Sequence, residues 1–205
     1  PFLARLSGPA SVQANVSHLR RGLYHVSYET PRVDTYSLDV AGAVVGGLSA
    51  EYFNNRWLYG EPQVTRIDPV VDFSWTEDDI ITPTGKDYIS GRWTGFVQPT
   101  FDEVFTFYVS ANDGARLFVN GELLFDNFES EVTEAEDAVT YQGETSVSMV
   151  ADMLTDIQLE WRENTGSASV RLSWSSASQP KTVIPSNRLF SSSTPITYSP
   201  FTVKP

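Results

Sequence analysis

Apolar residues recur at every second position through most of this chain, and no stretch carries a helical stripe of three or more turns. That restricts the fold to short strands and turns. In TYSLDV, the residues Tyr36, Leu38 and Val40 share a face. The same spacing aligns Phe105, Phe107 and Val109 in FTFYV, Ile157, Leu159 and Trp161 in DIQLEW, and Val170, Leu172 and Trp174 in VRLSW. Successive side chains of a strand point to opposite sides of the pleat, so each segment has one face for a core and one for water. With 12 Phe, 9 Tyr and 5 Trp the chain is rich in core-forming bulk, and Trp75, Trp93, Trp161 and Trp174, all in alternating contexts, are expected inside.

Turn chemistry divides the strands. RLFVNGELLF is two apolar runs around Asn120-Gly121, the dipeptide best suited to the two positive φ angles of a type I′ turn, and predicts a tight hairpin. Residues 76–90 and 128–138 are acidic and lack alternation, and SSASQP and SSSTP read as polar loops. Gly46-Gly47 is a natural domain junction.

The 14 Lys and Arg against 26 Asp and Glu give a net charge of -12, which removes the basic stripe that phosphates need; nucleic acid is excluded and cations suit the surface better. The absence of cysteine excludes disulfides, cysteine-bound zinc, iron-sulfur clusters and thiol nucleophiles, but leaves the compartment open. One sequon, Asn15-Val16-Ser17, favours secretion. No apolar run approaches the ~20 residues of a membrane helix, so no membrane insertion of this segment is expected. An opening at Pro1 without Met or signal peptide reads as a piece of something longer.

Carboxylates are abundant at Asp72, Asp78, Asp79, Asp87 and from Glu129 to Asp137, but the run lacks the aromatics and glycines that would shape a pocket. His18 and His25 are two isolated histidines, and no nucleophile elbow, phosphate loop or dinucleotide fingerprint occurs. The chain is therefore not expected to be an enzyme.

Five pieces in order, GLSAEYFNN, LYGEPQVTRIDPVVDFSW, GRWTGFVQP, FTFYVSANDGARLFVNGELLFDN and DIQLEWRENTGSASVRLSW, resemble the domain first described in the fourteen-kilodalton fragment of anthrax protective antigen. That family is a β-barrel found in bacterial toxins, some glycosidases and yeast adhesins. GLYHVSYETPRVDTYSLDV, together with SPFTVKP at the far end, resembles the closing strands of a filamin-type repeat. The two resemblances imply an all-β fold, a lectin-like β-barrel or sandwich of residues 47–194 inserted into an immunoglobulin-like β-sandwich of residues 1–46 and 195–205. The strand Phe201-Thr202-Val203 should then pair with Tyr36–Val40.

In sugar-binding relatives among the yeast adhesins, the position of Asn112-Asp113-Gly114 holds two aspartates joined by a cis peptide that bind calcium, which in turn binds sugar hydroxyls. The resemblance thus implies a calcium site of Asn112, Asp113, the side-chain oxygen of Asn164 and backbone carbonyls near Gly166 and Ala168. Asn112 keeps an oxygen but loses a charge, so affinity should be below that of a two-aspartate site. The bland alternative is that Asn-Asp-Gly and Asn-Thr-Gly are ordinary polar turns without an ion. Trp57 and Tyr59, in the loop NNRWLYG, are candidates for a sugar-stacking platform. The resulting expectation is a non-enzymatic adhesion module of a larger extracellular or cell-surface protein, binding glycans through calcium. Its rival is a ligand-free structural module docking on neighbouring protein chains in a fibre or a flagellum-associated assembly.

Overall fold

The computed structural model describes residues 2–129, 139–141, 146–196 and 199–204; residues 130–138 of the acidic run lie outside them. Among the described residues there are strands, turns and one 3-10 turn at Ser186–Arg188, with no helix long and apolar enough to cross a membrane. The chain divides into two compact units, Pro1–Val44 with Ser192–Pro205, and Val45–Ser191.

Numbering strands along the chain, the first unit contains β1 (Phe2–Ser7), β2 (Val12–Arg20), β3 (Leu23–Ser27), most of β4 (Tyr36–Val45) and the last strand, β18 (Phe201–Val203). They pair antiparallel in the order β18-β4-β1-β2-β3. Phe201 faces Leu38, Thr202 faces Ser37 and Val203 faces Tyr36, the long-range pairing that the sequence predicts. The Val40 N–H donates to Ser199 Oγ at 2.9 Å and the Val40 carbonyl accepts from the Ile196 N–H at 2.9 Å. One face of the sheet buries Ala4, Leu6, Ala14 and Tyr36, with Val12, Leu38 and Val203 against them. The described strands make one sheet, so the two-sheet sandwich that the filamin resemblance implies is not shown. Deleting residues 199–205 is expected to open the outer edge of β4, because the amides on that side, Val40 among them, lose their partners while those on the other side stay paired with β1. Hydrogen exchange at residues 36–40 should then accelerate by about tenfold or more. Unchanged protection at those amides would show that β18 contributes nothing to this sheet.

The second unit has two curled sheets. In the first, β5 (Leu48–Phe53), β6 (Val64–Asp68), β8 (Ser90–Val97), β10 (Gly114–Val119), β11 (Glu122–Asp126) and β14 (Thr155–Arg162) are ordered β6-β5-β8-β14-β10-β11. The start of β17 (Leu189–Pro195) adds to β8 at Val97 and Phe96. The second sheet centres on β9 (Glu103–Asn112) and β15 (Ala168–Ser175). Outside β9 lie β12 (Val139–Tyr141) and β13 (Ser146–Met149); outside β15 lie β7 (Asp72–Trp75) and β16 (Thr182–Val183). The alternating faces read from the sequence meet between the sheets: Phe105, Phe107, Val109, Val170, Leu172 and Trp174 from one, Trp93, Ile157, Leu159 and Trp161 from the other. Trp75 is only partly buried and stacks on Trp161 with ring centroids 5.3 Å apart. Asn120 and Gly121, at φ 52° and 75°, make the predicted turn between β10 and β11. Ser191–Pro195, read from the sequence as a loop, instead continues β17. Short polar side chains there carry no alternation signal, and backbone pairing does not need one.

Candidate functional site

Two core strands run out into carboxylates at the same end of the barrel. The inward series of β9, Phe105, Phe107, Val109 and Ala111, has Asp113 as its next buried member. That of β14, Ile157, Leu159 and Trp161, continues to Glu163. Since Gly114 is paired with Arg162, the two ends are neighbours. Asp113 is 5% exposed and Glu163 0%.

Hydrogen bonds tie the two loops together. The Asp113 N–H donates to the Arg162 carbonyl at 3.1 Å, and Asp113 Oδ2 accepts from the Asn164 N–H at 2.6 Å. Asn112 Nδ2 donates to the Ser167 carbonyl at 2.8 Å, while the Asn112 carbonyl accepts from Trp161 Nε1 at 2.9 Å. The Asn112-Asp113 peptide is cis. Gly114 lies so close to the following loop that a Cβ would stand 2.3 Å from the Phe128 carbonyl oxygen, which is why the third turn residue carries no side chain. Gly166 has φ +94°, a left-handed conformation suited to glycine, and its N–H points at Asp87 Oδ1, 3.4 Å away. Ala168 opens β15, and the next residue, Ser169, is paired with Asn112. Asn112, Asp113, Asn164, Gly166 and Ala168 thus gather at one end of the barrel.

The aromatic loop reaches the same place. Asn55 Oδ1 accepts the N–H groups of Trp57 and Tyr59 at 2.9 and 3.1 Å, shaping the loop from its own side chain. Arg56 Nη1 donates to Asn164 Oδ1 at 2.7 Å, and its guanidinium carbon lies 5.3 Å from the Trp57 ring centre and 5.5 Å from that of Tyr88. The Tyr88 N–H donates to the Asn164 carbonyl at 2.8 Å. Trp57, Tyr59 and Tyr88 are 52%, 82% and 54% exposed, which leaves three rings open to solvent around the loop cluster.

Electrostatics single out Glu163. Both of its carboxylate oxygens are buried without a hydrogen-bond partner. Burial first, then the Asp113 and Asp87 charges, push its acid up to about 9. Burial also raises Asp113, against the Asn164 N–H and the Arg162 and Arg56 guanidinia, which pull it down. Glu163, Arg56 and Tyr88 are not singled out by the sequence motifs, and Asp87 reads there only as one carboxylate among many. Glu163 has a signal all the same, since extending the alternation of DIQLEW by two residues puts it on the core side.

The oxygens at this end, from acid, amide and backbone groups, are of the hard type that calcium takes six to eight of. A buried carboxylate without a partner is the kind of group that a cation would satisfy, so the residues present fit such an ion. Among the described residues no three His, Cys, Asp or Glu side chains converge as a metal cluster, so an ion here would draw on amide and carbonyl oxygens as well. Asn164 Oδ1, which the resemblance assigns to calcium, is engaged by Arg56.

A barrel of two curled antiparallel sheets, with an Asn-Asp-Gly turn beside an Asn-Thr-Gly turn at one end, is the architecture of a lectin-like domain. The PA14 domain family matches residues 45–188, and the chain belongs to it. Anti-sigma-I factor RsgI3 of Acetivibrio thermocellus is 39% identical over 150 residues, which are 73% of this chain and 22% of that protein. A solved anti-sigma factor domain-containing protein is 34% identical, with a TM-score of 0.63, over 78% of this chain and 58% of the other. The PA14 sugar-binding domain from an RTX adhesin shares the fold at 17% identity and a TM-score of 0.57, over 71% of this chain and 98% of that one. The chain thus spans about a fifth of the length of the first of these relatives and somewhat under two thirds of the second. As a PA14 domain, the matched part of the chain is non-enzymatic.

These relatives correct the expected function. The sequence points to an adhesion module or a ligand-free fibre module, whereas the proteins at 39% and 34% identity are an anti-sigma-I factor and an anti-sigma factor domain-containing protein. The reason is physical: the motifs that carry the resemblance specify core strands and turn chemistry, which adhesins and regulators share.

Proposed function

We propose that this chain is a ligand-sensing part of a larger regulatory protein of the anti-sigma factor kind, and that its ligand is an extracellular polysaccharide. The observation that carries this reading is the cluster of exposed rings, Trp57, Tyr59 and Tyr88, around the loops at one barrel end. Aromatic faces suit the C–H faces of sugar rings, and a similar fold serves a domain described as sugar-binding in an RTX adhesin. The first unit is read as a spacer of filamin type whose last strand returns after the barrel; the pairing of β18 with β4 supports this. Calcium is proposed to organise the loops through Asn112 and Asp113, with the Asn164 side chain available once Arg56 releases it.

The test is binding of the chain to a panel of plant and microbial polysaccharides by calorimetry. Trp57→Ala and Tyr59→Ala should each weaken binding by about tenfold while leaving the melting temperature unchanged, because both rings are largely outside the core. A panel without a single binder, or binding indifferent to both substitutions, would remove the polysaccharide reading. For the metal, an ion bound only by the folded state adds about 2.7 kcal/mol of stability at a hundredfold excess over its Kd. Melting should therefore shift upward in millimolar calcium relative to chelator, and magnesium, with its octahedral demand, should do little.

A further inference from the structure

We infer that Glu163 is a ligand of the cation in this cradle and supplies the negative charge that Asn112 lacks. The inference rests on the calcium reading above and assigns to it a residue that neither the turn motif nor the five-residue ligand set contains. Three observations converge on it. Glu163 directly follows the end of β14 and is fully buried, beside the Arg162 carbonyl that accepts from the N–H of the buried Asp113. Its neighbourhood is acidic, since the buried Asp113 is hydrogen-bonded to the adjacent Arg162 carbonyl and Asp87 reaches the Gly166 N–H of the same loop. Both oxygens are fully buried and unpartnered, although nearly every buried polar group in a folded protein has a partner.

Nearby cations do not meet this need. Arg56 is committed to Asn164 Oδ1, and neither Glu163 oxygen has a hydrogen-bond partner among the described residues. The Glu163 backbone is held in place, its N–H donating to the Ile89 carbonyl at 2.8 Å. A hard divalent cation between Glu163 and Asp113 would satisfy two buried acids at once, with backbone and amide oxygens of the 112–114 and 164–168 loops completing its shell. Calcium accepts such a mixed, irregular set.

Calcium binding to the whole chain, read by calorimetry and by the calcium-induced melting shift, tests the assignment with Glu163→Gln and Glu163→Asp. Glutamine keeps the shape and an oxygen but removes the charge, and should weaken calcium by about tenfold or more and abolish most of the melting shift. Aspartate keeps the charge but withdraws it by one methylene and should fall between glutamine and wild type. If wild type binds calcium and both variants bind it equally well, Glu163 is not a ligand and the inference falls while the calcium reading stands. If wild type shows no calcium binding, the calcium reading fails and takes this inference with it. Should the glutamine variant not fold in chelator, as far-ultraviolet circular dichroism would show, the aspartate variant decides alone: affinity equal to wild type overturns the assignment.

Discussion

Asp68→Ala is expected to destabilise the barrel by about 3 kcal/mol, in the range for breaking a buried charge network from one side. Asp68 is 3% exposed and sits at the end of β6 inside the aromatic core. Its Oδ2 accepts from the Tyr52 hydroxyl at 2.6 Å and from Trp93 Nε1 at 2.8 Å, and its Oδ1 accepts from Arg66 Nε at 2.7 Å. Burial and then the Asp68 carboxylate push the Tyr52 hydroxyl upward, so it stays a donor at any ordinary pH. Alanine would strand Tyr52 and Trp93 as buried donors, each costing about 1–3 kcal/mol. The Arg66 side chain is 46% exposed and recovers water, so the lost ion pair itself adds little. All five tryptophans, Trp57, Trp75, Trp93, Trp161 and Trp174, lie within Val45–Ser191, so tryptophan fluorescence in urea follows this unit alone. The midpoint should fall at unchanged m. A loss below about 1 kcal/mol would mean that the two donors find other partners.

Asp113→Ala is expected to abolish saturable calcium binding and, with it, any calcium-dependent part of polysaccharide binding. Asp113 is the one acid of the cis pair, it is buried, and its Oδ2 fixes the opposite loop through the Asn164 N–H. Removing it takes away both a ligand and the clamp that positions the second loop. Stability in chelator should change by less than the calcium contribution, since the substitution costs the Asn164 N–H its acceptor but relieves Glu163 of a repulsive neighbour. Glu122→Ala is the matched control, being exposed beside the Asn120-Gly121 turn at the far end of β10. Calorimetry in which the two variants bind calcium alike would assign the affinity to overall acidity rather than to a site.

The particulars show what kind of information each level holds. Period-two spacing in FTFYV, DIQLEW and VRLSW fixed which residues face the core, because alternation is a property of a strand whatever its neighbours are. Asn120-Gly121 fixed a turn for the same local reason. The pairing of Phe201–Val203 with Tyr36–Leu38 was also legible, since an unpartnered apolar strand and a strand with a free side constrain each other across the chain. The aromatic loop could be named but not placed: nothing in NNRWLYG says that Arg56 will lie against Asn164.

Function separated from fold for a related reason. The sequence by itself determined an all-β chain, because alternation and turn residues are local properties, and its resemblance to a family implied the PA14 barrel and the two turns at one end of it. Only the tertiary structure decided that Asp113 and Glu163 share a buried end, that Glu163 lacks a partner, and that Arg56 and Tyr88 border the same loops. Burial and mutual approach are set by which strands pair, and a carboxylate that reads as one more solvated charge along the chain becomes a demand for a cation once two sheets remove it from water.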